Sequence, residues 1–218
     1  MRTSQTWRVT LALVLAGFAG TLQNAEAHAT ESNLQFTIQV RTYGKIDPRT
    51  LAEAEKIAGE IFREAGVQSR WVDEKDTPQR QIDNSANNLD IRLHILPASM
   101  ANRLGLPSNV MGVAPGTGPD RQHVYVFYNR AQELAHRQLE TQPRGPISQH
   151  ASVSQILGAM VAHEIGHVLL NMPLHSETGI MRGDWNLKDL YDVAHHCLFF
   201  TPSQAEMIRS EVRRRSNS

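Results

Sequence analysis

His163-Glu164-Ile165-Gly166-His167 sets two imidazoles and a carboxylate within one short run of chain. Residues four apart share a face of a helix, so both histidines can reach one cation from the same side. Glu164 is rotated by about 100° from His163, which places its carboxylate beside such a cation rather than on it. From there it can take a proton from a water whose pKa the cation has lowered, the chemistry of metal-assisted hydrolysis. A catalytic site of this kind needs a third protein ligand and one open position. The next histidine along the chain is His175. Asn171 tolerates the left-handed conformation that ends a helix and Pro173 cannot continue one, so the chain can leave the helix and turn back toward His175. Glu177, Asp184 and Asp189 are acidic rivals for the third place.

With His175-Ser176 and Gly179-Ile180-Met181 downstream, residues 159–185 resemble the metzincin clan of zinc endopeptidases. The resemblance implies one catalytic zinc ion held by His163, His167 and His175, with Glu164 as general base. It also implies Met181 in a methionine turn that forms a hydrophobic floor beneath the ion. Val110-Met111-Gly112-Val113-Ala114 is similar to the family's edge strand, so Gly112, Val113 and Ala114 are expected to bind an extended peptide or protein substrate by strand addition. The implied fold is an α+β zincin architecture: one mixed twisted sheet with an antiparallel edge strand, a backing helix, an active-site helix and a C-terminal helix. The chain departs from the family in its spacing, because Leu170 and Pro173 stand where the family has a glycine and its third histidine. Either Asn171 makes the turn in a longer loop, or one of the acidic rivals is the ligand. Gly183, two residues after Met181, removes the extra tyrosine ligand that some members carry.

The elements that must position these groups follow from periodicity. Leu34, Phe36, Ile38 and Val40 alternate with polar residues as a half-buried strand does. Asp47-Pro48 opens a helix with Leu51, Ala54, Ile57, Ala58, Ile61 and Phe62 on one face, and Gly66 stops it. Strands are expected over 67–72, 89–95 and 123–128, with a short apolar piece at 110–114, a polar loop at 73–88 and a helix over 129–140. Gly116-Thr117-Gly118 falls in a proline-flanked turn without the strand-to-helix context of a phosphate loop. A loop over 141–150 precedes the long apolar helix, expected from Ser154 to about Leu170. Irregular chain then runs to about residue 200, where Thr201-Pro202 caps a final helix. Strands interspersed with a dominant buried helix make an α+β or α/β chain around one sheet.

Composition narrows the function. The chain has 218 residues with 22 basic and 22 acidic side chains. Arg2 and Arg8, the apolar stretch 9–22 and Ala25-Glu26-Ala27 read as a secretory signal peptide, residues 1–27. Fourteen apolar residues span about 21 Å, too short for the roughly 30 Å core of a bilayer. The remaining 28–218 form a single domain, exported to a periplasm or beyond the cell. Without Arg2, Arg8 and Glu26 the balance is 20 basic to 21 acidic, which leaves no footprint for nucleic acid or an anionic membrane. No other stretch is read as long and apolar enough to span a bilayer, so the expectation is a soluble monomer. Cys197 is the one cysteine, which excludes an internal disulfide and a multi-cysteine zinc site. It is expected to be a small buried hydrophobe, and His195-His196-Cys197 a poor second metal site because adjacent side chains point apart. His94, His123, His136 and His150 are dispersed in sequence and are read as structural or exposed. Trp185 and Tyr191 are read as core packing, and Arg213-Arg214-Arg215 as a solvated helix end. Two other functions share the same residues: a non-catalytic zinc-binding protein, and a zinc hydrolase of a non-peptide amide.

Overall fold

A computed structural model describes residues 34–73, 90–107, 109–115, 122–141, 150–173 and 175–217, all within one compact unit, Asn33–Ser218. The expected signal peptide, residues 74–88 of the polar loop, the Gly116-Thr117-Gly118 turn and most of the 141–150 loop lie outside them.

Five strands form one mixed sheet. They are β1 (Gln35–Thr42), β2 (Gln68–Asp73), β3 (Asp90–Leu96), β4 (Gly112–Val113) and β5 (His123–Phe127), in the order β2-β1-β3-β5-β4. β1, β2, β3 and β5 run parallel, and β4 pairs antiparallel with β5 at the edge. The apolar piece expected at 110–114 is therefore an edge strand, although only Gly112 and Val113 are in ladder geometry. Alternation sets the two faces of the sheet. Phe36, Ile38, Val40, Ile91, Leu93, Ile95, Val124 and Val126 are buried in the main core, whereas Leu96 and Phe127 start a smaller cluster on the opposite face.

The described residues form six helices. α1 (Pro48–Glu64) begins as the sequence predicts: Asp47 caps it by accepting from the Thr50 amide, and Gly66 follows with φ +82°. α2 (Ala98–Arg103) and α3 (Tyr128–Thr141) flank the last two strands. α4 (Val153–Leu170) carries the histidine pair and is buried on every side from Ile156 to Leu170, as a helix apolar all round must be. Its ends are closed by a Ser152–Gln155 capping box and by Asn171 at φ 50°, the left-handed turn anticipated there. α4 packs on α1, and also meets β5 and β4. By length and composition it could cross a membrane, which corrects the expectation that no stretch could; its apolar surface is instead covered by α1, the sheet and the C-terminal segment.

The segment expected to be irregular up to residue 200 contains α5 (Leu187–Ala194), whose Asn186–Asp189 capping box lies in plain view in the sequence. α2 is short and carries no cap signal in the sequence. α6 (Pro202–Ser216) starts at the predicted Thr201 cap. It is tied to its neighbours by side-chain bonds to the ends of other helices: Arg209 Nη1 donates to Ala65 O at 2.9 Å and Arg215 Nη2 to Val168 O at 3.0 Å.

Candidate metal centre

α4 brings His163 and His167 one turn apart, with their Nε2 atoms 3.2 Å from each other. The protons on these rings are set by their other nitrogens. His163 Nδ1 donates to Ile180 O at 2.7 Å, and His167 Nδ1 donates to Met172 O at 2.8 Å, since a carbonyl can only accept. Burial keeps both rings neutral: His163 is pushed down to about 3 by desolvation, with lesser contributions from His167 and His175, and His167 is lowered chiefly by desolvation as well. Each Nε2 therefore presents a lone pair, and the two lone pairs face each other with no proton between them. A shared cation resolves that opposition. Two nitrogens bound to one tetrahedral ion at about 2.0–2.1 Å lie about 3.3–3.4 Å apart, close to the 3.2 Å found between these two.

The third imidazole comes from outside the helix. His175 is exposed, and its ring centre lies 5.3 Å from that of His163 and 5.0 Å from that of His167. One ring nitrogen from each of the three histidines falls within 4.8 Å of the others, and this is the group of potential ligands among the described residues. The three fit a metal ion as donors, and the two carbonyl bonds fix the tautomers of His163 and His167, as the outer hydrogen bond of a metal-ligating histidine does. None of the acidic rivals joins this group, although Asp184 borders the same cleft. Asp189 Oδ2 accepts from the Asn186 amide and from Arg182, Asp184 Oδ1 accepts from Asn109, and Glu177 is exposed.

The chain between His175 and Trp185 forms a tight loop beneath the helix. Ser176 N donates to Met181 O, Ile180 N to Phe199 O and Arg182 N to Gly179 O, with Gly179 at φ +74°. Met181 is buried and packs against α4 at Gly166, where a Cβ would come within 2.6 Å of its sulfur. Gly166, just before His167, is thus small because Met181 and Phe200 occupy that space. Trp185 Nε1 donates to Ile180 O, the same carbonyl that holds His163, and its ring meets His163 edge-on at 6.0 Å. Neither carbonyl acceptor carries a sequence signal, since every residue has one.

Glu164 is 4% exposed, and burial alone raises its carboxyl to about 8. It lies against β4: a Cβ on Gly112 would sit 2.6 Å from Glu164 Cγ and 2.4 Å from Tyr125 O. Only glycine lets the edge strand approach so closely. The three histidines, Glu164 and the segment Asn109–Ala114 line one cleft of about 380 Å3, bounded across from the strand by Gly183 and Asp184. Gly112, Val113 and Ala114 therefore share the cleft with Glu164 and the histidines. Asn109 Nδ2 donates to Asp184 Oδ1 at 3.2 Å, joining the two walls.

Some of the outlying residues match expectation and others do not. His94 and His123 are not dispersed: neighbouring strands bring them together, with His94 Nε2 2.9 Å from His123 Nδ1 and Tyr43 Oη 3.2 Å from His94 Nδ1. Burial, with His123, Arg41 and Arg92 adding to it, lowers His94 to about 4. Cys197 is exposed rather than buried, because it follows the end of α5, where Sγ donates to His195 O. Tyr191 is also exposed, stacked on His195, whereas Trp185 is buried as expected. His136 is exposed beside Glu140, and His196 lies near Gln155 and Glu60.

No family model, curated protein or solved structure matches this chain.

Proposed function

We propose that this chain is an exported zinc-dependent endopeptidase with a metzincin-like arrangement of its site, acting on a peptide or protein substrate as a monomer. The observation that carries the reading is the placement of a buried carboxylate, Glu164, between a three-histidine donor set and the edge strand of a sheet, all in one cleft. A purely structural metal site has no use for such a carboxylate, and structural zinc sites take four protein ligands rather than three. The longer span between His167 and His175 is compatible with the family pattern because Asn171 turns the chain out of α4.

His163, His167 and His175 would hold the ion. When bound, zinc supplies Lewis-acid polarisation of a carbonyl and a lowered pKa for water. The chain's own residues do the rest. β4 offers an antiparallel edge on which an extended peptide gains backbone hydrogen bonds, which places its scissile bond above Glu164. The Glu164 carboxylate takes the proton of the attacking water and returns it to the departing amine. Burial by itself raises the Glu164 carboxyl, and the positive charge of an ion held by the histidines would favour the carboxylate form that accepts the proton. Met181 and Trp185 keep the underside of the histidines dry.

The test is digestion of a diverse peptide library by the zinc-loaded chain, read by mass spectrometry beside Glu164→Gln. Cleavage by the native chain should vanish in the variant while zinc stays bound in both. Zinc in both chains and cleavage by neither would replace this reading with a non-catalytic zinc protein or a hydrolase of another amide.

A further inference from the structure

The face of the sheet turned away from α1 and α4 bears an apolar groove of about 510 Å3, lined by Tyr43, Leu96, Met100, Leu104, Val113 and Tyr125. It is open to solvent, Tyr43 being 40% and Leu104 55% exposed. We propose that this groove receives a large apolar side chain of the peptide bound along β4, so that the substrate class is extended peptides with a leucine-sized residue next to the one that faces Glu164. The proposal rests on the reading above that the cleft binds peptide.

The register of β4 carries it. Phe127 N donates to Met111 O at 3.0 Å, and the ladder pairs Gly112 with Val126 and Val113 with Tyr125. Bonded and non-bonded pairs alternate along an antiparallel ladder, so Met111 and Val113 bond to β5, and Gly112 turns its N–H and C=O to the free edge. Side chains alternate in the same rhythm. Gly112 faces Glu164, whereas Val113 packs with Tyr125 on the far side of the sheet. A strand added to that edge inherits the alternation. Its residue beside Gly112 points to the face of Glu164; its residue beside Val113 points to the other face, about 5 Å from Val113.

That second residue meets the groove. Val113 lines both the metal-side cleft and the groove, so the two-residue strand is the wall they share. The groove is walled by aliphatic and aromatic side chains with Arg103 as its charged member, which selects for apolar bulk rather than for a polar group. Discrimination between a large and a small apolar side chain in such a groove is about 10-fold or more.

The experiment uses fluorescein-labelled extended peptides in which a single leucine is walked along an alanine–threonine background. Binding to the Glu164→Gln chain is read by anisotropy, with and without Leu104→Asp, a change at an exposed position. At one leucine position the affinity should exceed that of the all-alanine peptide about 10-fold, and Leu104→Asp should bring the ratio near one. A ratio that survives Leu104→Asp, or no binding of any peptide, overturns the proposal. So does a change in oligomeric state with Leu104→Asp and unchanged peptide binding, which would make a second copy the occupant. Cleavage by the native chain is scored separately. Selective binding without cleavage keeps the groove and removes the peptidase; cleavage without leucine preference does the reverse.

Discussion

Of the three imidazoles, His175 alone is exposed and alone lies outside α4, so its contribution separates most cleanly from folding. His175→Ala should leave the fold intact and weaken zinc binding at least 10-fold, as measured by competition with a chromophoric chelator. Unchanged affinity would return the third place to Asp184, the acidic rival that borders the cleft. Gly112 makes the opposite demand, since nothing larger fits between Tyr125 O and Glu164. Gly112→Ala must displace the edge strand or the carboxylate, at a cost of about 1–3 kcal/mol. Urea unfolding gives that cost directly, and an unchanged midpoint would mean that β4 is free to shift.

Among the elements, α4 is held at both ends by bonds its own sequence signals and along its flank by α6. Arg215 is buried, and its guanidinium joins Glu211 to the Val168 carbonyl in the last turn of α4. Arg214 beside it, with Arg215, holds the Glu211 carboxyl down to about 2. A depressed carboxyl stabilises the fold above its ordinary value near 4.5 and loses that effect as pH falls toward 2. Native stability should accordingly decline between pH 4.5 and 2, and Glu211→Gln should flatten that limb of a urea-midpoint profile. Arg215→Ala should cost about 1.5–3 kcal/mol at neutral pH, the value of a hydrogen bond to a charged group. A variant as stable as the native chain would show that α6 contributes packing and no anchoring.

For the whole molecule, the donor set draws two ligands from α4 and one from the loop that follows it, and the loop is pinned to the residue 199 carbonyl before α6. An unfolded chain does not assemble that set, so metal binding stabilises the native state by mass action. Zinc at 100 times its dissociation constant should raise the unfolding free energy by about 2.7 kcal/mol. A chelator should reverse the gain, and His163→Ala should show none. Equal stabilisation of that variant would locate the ion at another site.

The sequence by itself determined the local parts. The spacing of His163, Glu164 and His167 needs only a helix to become a half-site, and that helix announces itself through Ser152, Asn171 and an unbroken apolar run. Strand alternation placed β1, β3 and β5 within a residue or two, and Asp47-Pro48 and Thr201-Pro202 placed the starts of α1 and α6. What the tertiary structure decided were relations between segments far apart in the chain. The carbonyls that set the histidine tautomers, the approach of Gly112 to Glu164, and the meeting of His94 with His123 depend on backbone positions that side-chain type does not encode. Cys197 shows the same limit, because whether a small apolar side chain is covered depends on which segments pack over it. Periodicity reports how a residue faces its own element. Burial, register and the third ligand depend on how elements face one another, and that is settled only when the core closes.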